Sequence, residues 1–193
     1  NVCVGGFVAG QYQCTRTASH MAWYGAVNVL VGQFKRFRGD YSVVPWATFT
    51  DPEVAHVGHN ETSAREAGVE YEVTTYGIDD LDRAIADSEA HGMVKVLTVP
   101  GKDKILGVTI VGEHAAELLA EYTLAMRHGL GLNKIMGTIH VYPTLSEANK
   151  YAAGQWKNAH KPEGVLRWVE RVHDWRRKGV GGDRLSVAEL FLI

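Results

Sequence analysis

The spacing of apolar residues changes character along the chain. Val44 to Phe49 and Val54 to Val57 are short strand-like runs separated by the turn Thr50-Asp51-Pro52, and Tyr71 to Tyr76 is β-branched and aromatic. Met93 to Val99 and Ile105 to Val111 flank Pro100-Gly101-Lys102-Asp103-Lys104 as a hairpin. Beyond residue 112 the period lengthens: Ala115, Leu118, Leu119, Tyr122, Ala125 and Met126 recur at helical spacing up to Gly129, which predicts one long amphipathic helix. Shorter helices are expected from the cap Asn60-Glu61-Thr62 to Gly68, over Asp79–Ala86, over Leu132–Met136 and over Leu145–Asn158. A helix apolar along one stripe lies against a sheet. The pattern therefore predicts an α+β fold, a mainly antiparallel sheet covered by helices on one face.

The two ends read differently. Val2-Cys3-Val4, then Gly5-Gly6 and Gly10, then a helix from about Thr17 to Leu30 reads as strand, glycine turn and helix, too little to close a core alone. In the tail, Val165, Trp168, Val169, Val172 and Trp175 form a helical stripe ending in Arg176-Arg177-Lys178, and Gly181-Gly182 precede Leu190-Phe191-Leu192-Ile193. An interfacial membrane helix is one reading of that stripe. Glu163, Glu170 and Asp174 among the bases favour the other, a packed or partner-covered helix.

Charge divides the chain at the same places. Residues 1–44 hold four basic and one acidic residue (+3), 45–158 nine and sixteen (−7), and 159–193 seven and five (+2). With 46% hydrophobic residues and a formal charge of −2, the composition is that of a globular protein with no general field for phosphate backbones, so no nucleic-acid partner is expected. No apolar run reaches the ~18–20 residues of a membrane span, and no membrane partner is expected. Cys3 and Cys14 match neither a disulfide framework nor a CxxC pair, which points to a reducing, cytoplasmic setting and to packing roles.

Candidate chemistry centres on His140-Val141-Tyr142-Pro143-Thr144-Leu145-Ser146-Glu147. The proline pushes Tyr142 out of helical backbone and permits a cis peptide. Thr144 and Glu147 have the spacing of a capping box, so Glu147 reads as a helix cap; a functional reading requires it to orient a neighbour on the preceding turn. His56 and His59 could be two metal ligands, but no third is named by spacing, and an exposed pair near a turn is the expectation; no metal site is assigned.

Three stretches, Val43 to Gly58, Leu106 to Gly112 and Tyr142-Pro143-Thr144-Leu145-Ser146-Glu147, together resemble the C-terminal dimerisation domain of the flavoprotein pyridine nucleotide-disulfide oxidoreductases, the family of dihydrolipoamide dehydrogenase, glutathione reductase and mercuric reductase. The likeness implies a remnant of an FAD-binding domain over 1–42, the dimerisation domain over 43–158 and an added helical extension over 159–193. It also implies a homodimer, with FAD and NAD(P) in the intact enzyme and neither bound by this chain alone.

In that family a His-Pro-Thr-x-x-Glu turn reaches the partner subunit's active site. Pro143 and Glu147 match its proline and glutamate, while Tyr142 replaces its histidine. The resemblance thus casts Tyr142 and Glu147 as acting in trans, and the Pro143 turn as contacting the partner's flavin. His140 stands two residues early, roughly 6–7 Å away on an extended segment, and does not inherit the role. A phenol, with an ordinary pKa near ~10, donates a proton or hydrogen bond but is a poor base. Mercuric reductases also resemble this chain in carrying tyrosine there, which brings in a metal-ion acceptor, but their C-terminal cysteine pair is missing here. Gly6 matches a flavin-contacting glycine, and Phe7 stands where the family has the aspartate that binds the flavin's ribityl chain. The implied reaction is NAD(P)H-dependent reduction of a disulfide, a metal ion or a related acceptor by a longer enzyme of which this chain is roughly the last third. The alternative is a freestanding, non-catalytic dimerisation or protein-interaction module.

Overall fold

The structure, a computed structural model, describes residues 4–9 and 14–177. Two compact units divide the chain after Val44. In the first, Val4, the last residue of the expected strand, is irregular, as is Gly5; Gly6 has φ +85° in the expected glycine turn, and Phe7–Ala9 form a 3-10 turn; Val2 and Cys3 of that expected strand lie outside the described residues. Helix α1 follows over Thr15–Val31, with a free Cys14 at its N-cap. Without a Cys14 side-chain cap, the first turn is closed by the Thr17 hydroxyl, which donates to the Cys14 carbonyl (2.7 Å). Asn28 ties down the segment beyond the helix by exchanging hydrogen bonds with the backbone of Phe37 (2.7 and 2.8 Å).

The second unit is built on five antiparallel strands: β1 (Trp46–Thr48), β2 (Glu53–Gly58), β3 (Glu72–Gly77), β4 (Met93–Thr98) and β5 (Ile105–Gly112), in the order β1-β2-β5-β4-β3. Period-2 alternation puts Val94, Val96 and Thr98 of β4 on one face, beside Val108 and Ile110 of β5 and Ala55 and Val57 of β2. Helices α4 (Ala115–Arg127) and α6 (Glu147–Ala159) cover that face, with Leu118, Leu119 and Tyr122 from the first and Ala148, Ala152 and Trp156 from the second closing the core. Lys95 points the other way and pairs with Glu61 (2.9 Å) of the short helix α2 (Glu61–Glu66), so α2 borders the opposite face. As expected of Asn60, its side chain caps α2, in a reciprocal pair with Ser63.

Two positions show how the sequence fixes these connections. Gly58 has φ +77°, and a Cβ there would collide with the Leu106 carbonyl, so only glycine lets β2 turn off beside β5. Glu53 directs its carboxylate to the Ala116 amide (3.1 Å), which satisfies a free donor at the start of α4, whose own N-cap residue, His114, supplies no side-chain bond. The long helix therefore begins where β2 begins.

Helices α3 (Asp82–Ala86) and α5 (Leu132–Met136) complete the body, and α7 (Glu163–Arg177) follows α6. The expected tail helix forms, but none of its residues is buried: Val165, Trp168 and Trp175 are exposed. Of the two readings of that stripe, packing against this chain's own core is not what the structure shows. No helix among the described residues is long and apolar enough to cross a membrane.

Candidate functional site

The segment from Thr138 to Ser146 joins α5 to α6 and carries the Tyr142-Pro143 peptide in the cis form. Among residues 138–143 only His140 is not exposed. Ile139 is 93%, Val141 75% and Tyr142 65% accessible, an unusual cluster of apolar and aromatic side chains on a turn. The Thr144 hydroxyl tightens the turn by donating to the Val141 carbonyl (2.6 Å) and contacts the Ser146 hydroxyl (2.8 Å).

Glu147 opens α6 and is buried, and its carboxylate accepts the Thr144 amide (3.3 Å). That is one half of the anticipated capping box. The other half is absent, because the Thr144 hydroxyl is engaged with Val141 and the N-cap position falls on Ser146, whose side chain makes no capping bond. The neighbour that Glu147 holds is thus the backbone of Thr144, while the Tyr142 phenol donates to Asp82 of α3 (2.7 Å).

The Asp82 carboxylate, by accepting that bond and by its charge, holds the Tyr142 phenol above its ordinary pKa, with Glu147 and Tyr151 adding to the effect. Tyr76 and Tyr151 pack together nearby with ring centroids 5.5 Å apart, both pushed upward first by burial and then by carboxylates, Asp80 for Tyr76 and Glu147 for Tyr151. Tyr142 at neutral pH is consequently a protonated donor. It can give a hydrogen bond or a proton but cannot remove one.

His140 is fixed on the inner side of the turn. Its side chain is 7% exposed; Nε2 lies 3.0 and 3.3 Å from the two carboxylate oxygens of Glu121 of α4, and Nδ1 lies 3.1 Å from the Thr138 carbonyl. Glu121 is also held by the Asn149 amide nitrogen (2.9 Å), which donates in addition to the Leu118 carbonyl (3.0 Å). The Asn149 amide oxygen is buried without a partner, a cost of about 1–3 kcal/mol. Glu121, Asn149 and Asp82 carry no motif; only their contacts single them out.

His56, expected as one of an exposed pair, is instead buried in the sheet. Nε2–H donates to the Gly58 carbonyl (2.9 Å), which leaves Nδ1 to accept the Thr109 hydroxyl (2.9 Å). Burial lowers its pKa. The strand period explains the miss: His56 faces Thr109 across β2 and β5, and the turn begins only at Gly58. Among the described residues no three His, Cys, Asp or Glu side chains are grouped to hold a metal.

A five-stranded antiparallel sheet backed by paired helices, with a Tyr-Pro turn projecting between two of them, defines an α+β domain whose exposed turn is its most distinctive surface. The chain belongs to the pyridine nucleotide-disulphide oxidoreductase family, through the dimerisation domain, whose family model matches residues 44–153. It is 37% identical over 147 residues to a dihydrolipoyl dehydrogenase of Chlamydia muridarum, covering 76% of this chain and 31% of that protein. Against the dihydrolipoamide dehydrogenase of Chaetomium thermophilum it is 40% identical over 114 residues, 59% of this chain and 23% of that one. Among solved structures it is similar to the Cu(II) complex of the HOCl-induced flavoprotein disulfide reductase RclA from Escherichia coli, with a TM-score of 0.70 and 25% identity over 78% of this chain and 34% of that chain. The chain therefore spans between about a quarter and about a third of the length of these relatives.

Residues 4–9 test the fit of a flavin. Gly6 has the left-handed backbone of a close turn, but the residue after it, Phe7, opens a 3-10 turn and has no lone pair to accept a hydroxyl. At this position the sequence therefore supplies no side-chain acceptor for a ribityl hydroxyl.

Proposed function

We propose that this chain is the dimerisation portion of an FAD-dependent NAD(P)H oxidoreductase, working in a reducing, cytoplasmic setting, that acts on a disulfide, a metal ion or a related acceptor. In that assembly two copies associate through this domain, and each offers its Tyr142-Pro143 turn to the active site of the other. The observation that carries the reading is the turn itself: Ile139, Val141 and Tyr142 stand exposed on a segment whose backbone is held by Thr144, Glu147 and His140. Exposed apolar side chains on a fixed backbone suit contact with another surface. The three segments 1–42, 43–158 and 159–193 are flavin-domain remnant, interface domain and extension.

The residues' tasks follow from their bonds. Tyr142, protonated, gives its one O–H to Asp82 and can offer it to an acceptor group or a substrate atom by exchanging that bond, a different role from the imidazole it replaces. Glu147 fixes the backbone from which that donor projects. Pro143 sets the direction of the turn toward the partner's cofactor. No paired cysteines with redox spacing and no nucleotide-binding glycine motif stand in the sequence, and on this reading the isolated chain is expected to be inactive and to hold no flavin.

Sedimentation of the purified chain tests the association. A dimer is expected, weakened by Ile139→Asp and Val141→Asp, and a monomer throughout the concentration range would defeat the reading. A preparation carrying stoichiometric flavin would defeat the claim about the isolated chain. Phe7 favours a second reading, a freestanding module that has no further use for flavin; in that case Tyr142→Phe leaves association and partner capture unchanged.

A further inference from the structure

The Tyr142 turn has little burial of its own to hold it. Of its six residues from 138 to 143 five are exposed, and the sixth, His140, is bound on both ring nitrogens. The group it reaches, Glu121, sits on α4, and Asn149, in the first turns of α6, holds the same carboxylate. One carboxylate therefore joins the middle of the turn to both helices that cover the sheet. Asn149 keeps its amide oxygen buried and unpaired while both its donor bonds are used, one on Glu121 and one on the Leu118 carbonyl. A leucine would fill the same space without an orphaned oxygen. What the amide provides that leucine cannot is a fixed Glu121.

We propose that Glu121, oriented by Asn149, is a positioning residue that sets where the Tyr142 phenol stands by clamping His140 two residues before it. It acts through His140: its carboxylate meets His140 and Asn149 rather than Tyr142. Its functional meaning rests on the proposed task of Tyr142, but the clamp is tested without it.

The readout is the titration of Tyr142 in the full chain, followed by NMR of tyrosines labelled at Cζ and assigned with Tyr142→Phe. In the unmodified chain Tyr142 titrates above an ordinary phenol, because it is held against Asp82. In Glu121→Ala the turn is freed, and the midpoint is expected to shift downward, toward that of Asp82→Asn. Glu121→Gln should restore it, since the amide oxygen can take the Asn149 bond while the same side chain keeps a polar group of equal size against Nε2 of His140. Should Glu121→Ala fail to fold, His140→Leu keeps an apolar group of similar size inside the turn, removes the link to Glu121, and should give the same downward shift. A lower melting temperature with an unmoved Tyr142 midpoint in Glu121→Ala or His140→Leu would reduce Glu121 to glue between helices and overturn the proposal. The two ideas fail separately: a monomeric chain in which Tyr142 still follows Glu121 keeps the clamp, and a dimer in which it does not keeps only the reading of the turn.

Discussion

The two ends of α6 are built to opposite purposes. At its C-terminal end Glu72 of β3 accepts hydrogen bonds from the Trp156 indole (2.5 Å), the Thr98 hydroxyl (2.9 Å), the Gly101 amide (3.2 Å) and His160 (3.1 Å), whose ring stacks on Trp156 at 4.4 Å. Every partner belongs to the same compact unit, and the result joins β3, the β4–β5 hairpin, α6 and the residue that caps it. At the N-terminal end the backbone is held as firmly, but Ile139, Val141 and Tyr142 are left outside. A carboxylate that gathers many partners within its own domain is structural. A braced segment that leaves its largest side chains unoccupied is made for something beyond the domain.

The sharpest way to break the structural end is Trp156→Ala, which removes a buried indole, the bond to Glu72 and the stack on His160. A loss of about 3–5 kcal/mol in urea unfolding is expected. Glu72→Ala should cost less, about 1–3 kcal/mol, by leaving the Trp156 and Thr98 donors unpaired. If either is neutral, the two ends are not different in kind.

Lowering the pH meets the sheet first and then this clamp. Burial holds His56 below the ordinary imidazole pKa, so the unfolded chain takes up a proton more readily than the folded one, and stability falls as pH drops below about 6.5. Burial alone would raise the Glu72 carboxyl, but the bonds from Trp156, Gly101 and Thr98, with His160, outweigh it and hold it below its usual range. Its contribution is complete above that range and is lost as the carboxyl is protonated. Thermal melts over this span should lose their upper limb in His56→Asn and their acid limb in Glu72→Gln. The smallest effects belong to the presenting end: Asp82→Ala and Tyr142→Phe should each stay within about 0.5 kcal/mol, because both act at an exposed site.

Much of the body was legible because its signals are local and periodic. The β4–β5 hairpin, α4 ending before Gly129, and α5 over Leu132–Met136 lie where period and turn chemistry put them. β1 is shorter than expected, three residues instead of six, since a strand's length depends on how far its neighbour runs beside it. The candidate site was legible only in part. Tyr142, Pro143 and Glu147 are contiguous enough to read, whereas Asp82 and Glu121 lie 60 and 19 residues from the side chains they hold, and no spacing rule reaches across a fold. His56 is two residues from a turn in sequence yet faces Thr109 inside the sheet, because nearness to a turn along the chain is not nearness to solvent.

Helix α7 leaves Trp168 and Trp175 in water, while Trp156, one helix earlier, is sealed against the sheet. The tail therefore carries its own optical gauge. Iodide reaches the two tail indoles, as it reaches the exposed Trp23 and Trp46, and spares Trp156; with Trp23 and Trp46 replaced by phenylalanine, any surface that comes to cover the stripe shifts the remaining exposed emission to the blue and shields it, so occupation of the extension can be followed without attaching a label.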